Sequence, residues 1–148
     1  MKFIIQRVKN AKVSVSGEVT GQIEKGFLVL VGIGQGDTKE LADKLVTKMC
    51  GLRIFEDEND KTNLDINAVG GKLLLVSQFT LYADCKKGNR PSFTNAAGPG
   101  QAEELYNYIC EKAENYVPGV QRGVFGAHME IELLNDGPFT VILDSRDL

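Results

Sequence analysis

Histidine is almost absent from this chain: His128 is the only one among 148 residues. A Ser-His-Asp triad would have to use it, and a zinc site would need it together with scattered cysteines. Neither spacing supports such a site. His128 flanks a strand-like run and reads as a half-buried or surface side chain. Cysteine is scarce too. Cys50, Cys85 and Cys110 are odd in number, far apart and without a Cys-x-x-Cys spacing, and a reducing cytoplasmic setting is the simplest reading. No apolar run approaches the roughly 20 residues that span a bilayer. The N-terminus meets Gln6 and Arg7 too soon for a signal peptide and reads as a first strand. Positive charge is not in excess: the net charge is −3, which argues against a general nucleic-acid coat. Internal repeats, linkers and low-complexity segments are missing as well.

What remains is an ordinary globular composition, 43% apolar and 25% charged, at a length that suits one domain over residues 1–148. Residues 2–8 read as a strand. Val13 and Val15 alternate with Lys12, Ser14 and Ser16, and Ser16-Gly17 is a turn signal, so residues 12–24 read as a hairpin. Phe27–Ile33 is a continuous apolar run suited to a buried strand. The period then changes. Leu41, Leu45, Met49 and Leu52 recur at helical spacing, with Ala42 and Val46 widening the stripe. Asp37 is the expected N-cap, with Glu40 three residues on, and Gly51 the expected stop. Phe55–Asn67 is acidic and polar, a loop or short hairpin. Gly70-Gly71 turns into Lys72–Phe79, expected as a central strand. Residues 84–100 form a long connection of the kind that is often functional. Ala102, Leu105, Ile109 and Ala113 give a second helix, Val117–Ala127 is irregular, and Met129–Leu134 and Phe139–Leu143 close the chain as two strands. The fold class is α/β.

Two look-alikes fail. Gly32-Ile33-Gly34-Gln35-Gly36-Asp37 lies between a strand and a helix, but a dinucleotide fingerprint needs glycine where Asp37 stands. Asp57-Glu58-Asn59-Asp60-Lys61 resembles a calcium loop until Lys61 and Thr62, where an oxygen ligand and a glycine are required. Cys85 has no activating partner in the sequence and reads as a loop cysteine. Lys86, Lys87 and Arg90 cluster after residue 85, and Arg7, Lys9 and Lys12 near the start. Each cluster reads first as a solvated face, and second as a foothold for a few phosphates.

Two short segments carry more. Ser77-Gln78-Phe79-Thr80-Leu81 puts two hydroxyls and an amide beside an aromatic ring at the edge of a β-rich run. Asn135-Asp136-Gly137-Pro138-Phe139-Thr140 sets a Gly-Pro step between two strand-like runs. Proline lacks the N–H that a central strand needs, so this step must be a turn, a bulge or a cis bond. Together they resemble the two-motif signature of the D-aminoacyl-tRNA deacylases. Gln6-Arg7-Val8, Leu52-Arg53-Ile54-Phe55, Lys87-Gly88-Asn89-Arg90-Pro91-Ser92-Phe93 and Gly123-Val124-Phe125-Gly126-Ala127 are similar to that family too, in order and over the whole chain. Where this chain has Phe139, family members more often have Val.

The resemblance implies a barrel-like sheet with two main helices on one face, in a homodimer whose active site lies at the subunit interface. It implies hydrolysis of the ester joining a D-amino acid, or mischarged glycine, to the terminal adenosine of tRNA, in the cytoplasm, without cofactor or metal. Gly137 and Pro138, joined by a cis bond, would form a chiral filter reaching into the partner's pocket, with Arg7 bracing them. Ser77, Gln78, Phe79 and Thr80 would form the catalytic segment. There a backbone N–H near Phe79 would stabilise an oxyanion and the RNA 2′-hydroxyl would help to activate water. Thr80 either attacks or only positions, and the absence of a neighbouring base favours positioning. Lys86, Lys87 and Arg90 would contact tRNA. Two alternatives stand beside this: a different hydrolase using Cys85 or His128, and a non-catalytic RNA-binding or assembly module.

Overall fold

The computed structural model describes residues 1–148. Its strands are β1 (Lys2–Val15), β2 (Glu18–Ile23), β3 (Gly26–Gly32), β4 (Phe55–Glu56), β5 (Thr62–Leu64), β6 (Lys72–Ser77), β7 (Gln121–Arg122) and β8 (Glu130–Asp144). The helices are α1 (Lys39–Gly51) and α2 (Pro99–Tyr116), with short 3-10 turns at Phe79–Tyr82 and Ser145–Asp147. The main sheet runs β2-β1-β3-β6-β7, with β8 on β1. β1 turns the corner: its first half pairs with β3 and its second half with β2, both antiparallel. β3, β6 and β7 are mutually parallel. The barrel nearly closes where β2 meets β7. A Cβ on Gly21 would stand 2.9 Å from the Arg122 carbonyl oxygen, so only glycine lets the two backbones approach.

Alternation along the strands sorts the core into two layers. Phe3, Ile5, Phe27, Val29, Val31, Leu73 and Leu75 face the helices and pack on Leu45, Val46, Met49, Leu105 and Ile109. Val8, Ala11, Val13, Ile23, Leu28, Leu74 and Val76 fill the barrel interior. Both helices therefore cover one face of a barrel-like sheet.

Several elements differ from the sequence expectation. Residues 2–8 and 12–16 are one strand, not two. The pairing of β1 with β8 shifts register between Val8 and Asn10, and a one-residue shift swaps which side chains face which layer. Residues 129–134 and 139–143 likewise belong to one strand, β8, because hydrogen bonding to β1 resumes after the Gly-Pro step. β6 stops at Ser77 and Phe79 starts a 3-10 turn, since the Gln78 amide makes the last ladder bond, to the Val31 carbonyl (2.8 Å). Thr38, not Asp37, caps α1. Asp37 is drawn inward by stronger partners. It accepts from the Met1 ammonium (3.0 Å) and from the Gly34 amide (2.7 Å). The 12–24 hairpin, the short β4–β5 hairpin and both helical stripes lie where the sequence puts them.

Candidate active site

Parallel strands point their carboxyl ends the same way, and clefts form outside those ends. Here the ends of β3 and β6, with the segment after β7, open onto a cavity of about 730 Å³. Val31 and Ile33 come from β3 and its exit, Val76 and Ser77 from β6, and Gln78 and Phe79 from the turn that follows. The long connection contributes Phe93, Thr94 and residues 96–98, α2 adds Pro99 and Ala102, and Phe125 to Met129 form the opposite wall. Phe79, 57% exposed, meets Phe93 edge-on at the rim, with ring centroids 5.0 Å apart. The polar side chains lining the cavity are Gln35, Ser77, Gln78, Thr94 and His128, and no Lys, Arg, Asp or Glu is among them.

The 3-10 turn exposes backbone donors. Its first internal bond runs from the Leu81 amide to the Gln78 carbonyl, so the amides of Phe79 and Thr80 have no acceptor within the turn. Thr80 lies outside the cavity lining, and the Gln78 side-chain amide donates to its hydroxyl.

The Gly-Pro segment stands elsewhere. β1 residues Gln6 and Val8 pair with Thr140 and Asn135, so four residues of β8 bulge out opposite the single residue Arg7. Gly137 has φ +147°, its bond to Pro138 is cis, and both residues are exposed. Arg7, 5% exposed, fills the bulge. Its Nε donates to the Asp136 carbonyl (2.9 Å) and its Nη1 to the Ile54 carbonyl (2.6 Å), and the guanidinium lies 4.7 Å from the Phe139 ring centre. Asn135 closes the loop: its Oδ1 accepts from the Phe139 amide at 2.7 Å. None of Arg7, Gly137 and Pro138 lines the cavity within this chain.

Lys86, Lys87 and Arg90 are exposed on a projection tied at its base by Asp84–Ser92 backbone bonds (2.7 and 2.9 Å), and none forms an ion pair. Cys85 is exposed on the same projection. Burial pushes the Cys50 thiol up to about 12, and raises Cys110 too, so neither helix cysteine is a nucleophile at neutral pH. No three His, Cys, Asp or Glu side chains converge on a point.

Sequence reasoning gave Gln35 no role, named His128 only in an alternative reading, and carried Phe93 and Phe125 only within family-like segments without placing them on a cavity wall. The length of the 84–100 connection and the irregular 117–127 stretch were the available signals, but neither said which side chains turn inward.

The profile of D-Tyr-tRNA(Tyr) deacylase matches residues 4–144. The chain belongs to this deacylase family. It is 52% identical over 146 residues to a D-aminoacyl-tRNA deacylase of Thermosipho africanus, covering 99% of this chain and 98% of the relative. It is 51% identical to the protein of that name from Clostridioides difficile, covering 98% and 97%. Among solved structures, one named c-Myc DNA Unwinding Element Binding Protein superposes with a TM-score of 0.92 at 39% identity, covering 97% and 98%. A probable eukaryotic D-amino acid tRNA deacylase shares the fold, with a TM-score of 0.84 at 15% identity. Deacylases of this family are enzymes that hydrolyse the aminoacyl ester of tRNA, which agrees with a cavity opening beside unpaired backbone amides.

Proposed function

We propose that this protein hydrolyses the ester between a D-amino acid, or glycine, and the terminal adenosine of tRNA, at a site completed by a second copy of the chain. The observation that carries the reading is a division. The cavity beside Ser77–Phe79 lacks any acidic group, while the Gly137-Pro138 carbonyl segment stands exposed outside it. A substrate ammonium needs acceptors, and with no carboxylate lining the cavity those acceptors are neutral oxygens, for which exposed carbonyls are well suited. A partner's Gly-Pro step supplies them in a fixed direction. The same step walls off the space that an L side chain would need, which is how two identical side chains are told apart at one carbon.

In the reaction, water attacks the ester carbonyl carbon and the bond from that carbon to the ribose oxygen breaks. The ribose oxygen takes a proton, and free amino acid and tRNA leave. The neighbouring 2′-hydroxyl of the substrate helps to activate the water. The Phe79 amide stabilises the developing oxyanion, a contact that strengthens only in the transition state. Ser77 and Gln78 order the adenosine, and Thr80, held by Gln78, positions it. Lys86, Lys87 and Arg90 hold backbone phosphates. These roles need no metal.

The test is hydrolysis of matched D- and L-tyrosyl-tRNA by the wild type and by Gly137→Ala, with and without chelator. A Cβ on Gly137 would stand 2.8 Å from the Phe139 amide nitrogen at a backbone angle that L residues avoid, so the filter must distort. The expected result is D-selective release by the wild type, indifferent to chelator, and loss of selectivity or activity in the variant. Equal release of both forms by the wild type removes the filter. The name of the DNA-element-binding neighbour favours a second reading, a nucleic-acid-binding module. Salt-sensitive binding of uncharged tRNA without turnover would establish that one instead.

A further inference from the structure

We propose that Tyr106 is a positioning residue that sets the two walls of the cavity against each other, a role that rests on the cavity being the substrate site. Tyr106 is 1% exposed, one turn along α2 from the cavity-lining Ala102. Its hydroxyl donates to the Leu75 carbonyl at 2.7 Å. The same carbonyl accepts from the Gly123 amide at 3.0 Å, so both of its lone pairs are used.

That carbonyl is a junction. Leu75 stands two residues before Ser77 on the wall that carries the catalytic segment. Gly123 stands two residues before Phe125 on the opposite wall. β7 pairs with β6 over only two residues, so the Gly123 bond is where the wall segment leaves the sheet. The Tyr106 ring then meets the Phe125 ring, with centroids 6.0 Å apart. One side chain thus touches the backbone of the first wall through its hydroxyl and the second wall through its ring. A phenylalanine would fill the same core volume, so packing alone does not call for the hydroxyl. Spacing between walls does, because a carbonyl that loses one of two donors holds the other less rigidly.

The test compares wild type, Tyr106→Phe and Tyr108→Phe. Tyr108 is a control, since its hydroxyl meets Asp43 on α1 and it does not line the cavity. With D-tyrosyl-tRNA, Tyr106→Phe should raise KM by about three- to tenfold with kcat within about twofold, the pattern for lost uniform binding. Backbone hydrogen exchange should quicken at Gly123 through Ala127 and not in β1. Tyr108→Phe should leave both unchanged. An unchanged KM in Tyr106→Phe, even with a lower melting temperature, overturns the proposal, as does an equal KM change in Tyr108→Phe. If the wild type released no D-tyrosine, the deacylase reading would fail. The exchange data would still decide Tyr106: unchanged exchange at Gly123–Ala127 would overturn its part.

Discussion

The two signature segments are held in opposite ways. Ser77–Thr80 follows a strand buried on both faces, with Leu73, Leu74, Leu75 and Val76 packed into the core behind it. Asn135–Thr140 bulges from an edge strand whose only partner is β1. The first is placed by the hydrophobic layers of the whole fold. The second is placed by a few polar contacts from Arg7 and Asn135. A segment that had only to pack within its own chain would not need a buried guanidinium to fix an exposed loop. Local bracing of this kind suits a part that must keep its shape while projecting towards another molecule.

Breaking the brace should have the largest effect. Arg7→Ala deletes the donors to the Asp136 and Ile54 carbonyls and the cation over Phe139. The Ile54 carbonyl is then left buried without its charged donor. The expected loss is about 3 kcal/mol of stability by urea unfolding, with D-tyrosyl-tRNA hydrolysis reduced at least tenfold. The cavity walls should keep their native hydrogen-exchange pattern. If stability falls and hydrolysis does not, the second segment is not part of the site.

A narrower cut sharpens the comparison. Asn135→Ala removes the acceptor of the Phe139 amide and leaves Arg7 in place. It should cost about 1 kcal/mol, the usual net worth of one hydrogen bond. Its kinetic signature should be a lowered ratio of D to L hydrolysis, not a uniform loss. A variant with full selectivity would show that Arg7 alone sets the loop.

How far the sequence could be read follows the same division. Apolar periodicity located both helices and the buried strands β3 and β6, because burial writes a regular pattern. Proline chemistry marked the Gly-Pro step as a turn, a bulge or a cis bond, since proline cannot donate to the ladder, but did not choose among them. Periodicity split β1, because a register shift at Val8–Asn10 looks like a strand end when only alternation is visible, and β8 was split at the Gly-Pro bulge. It gave Asp37 the helix cap, because the Met1 ammonium that captures this carboxylate is distant in sequence. The cavity walls were the least legible. Phe93, Phe125 and His128 come from irregular segments, and their inward direction depends on parallel strand ends that only the assembled sheet brings together.

The smallest expected effect concerns the root of the edge strand. Asp144 pairs in register with Lys2, and the Arg146 side chain hydrogen-bonds its carboxylate at 2.7 Å. That bond, opposed by burial and aided by the Arg146 backbone amide and by the Arg146 and Lys2 charges, holds the Asp144 carboxyl at about 2 instead of the ordinary 3.8. The folded state thus prefers the ionised form more than the unfolded chain does. Its contribution is complete above about pH 4 and disappears as pH falls through about 2. Arg146 is largely exposed, so solvent screens the pair and the effect is modest. Its location makes it informative. On acidification from pH 5 to 2, amide exchange in residues 140–144 should rise before exchange in β6. Asp144→Asn should remove the pH dependence of that early step. Simultaneous loosening of β8 and β6 would mean that the edge strand and the buried strand are one cooperative unit, and that the contrast between the two segments ends at their side chains.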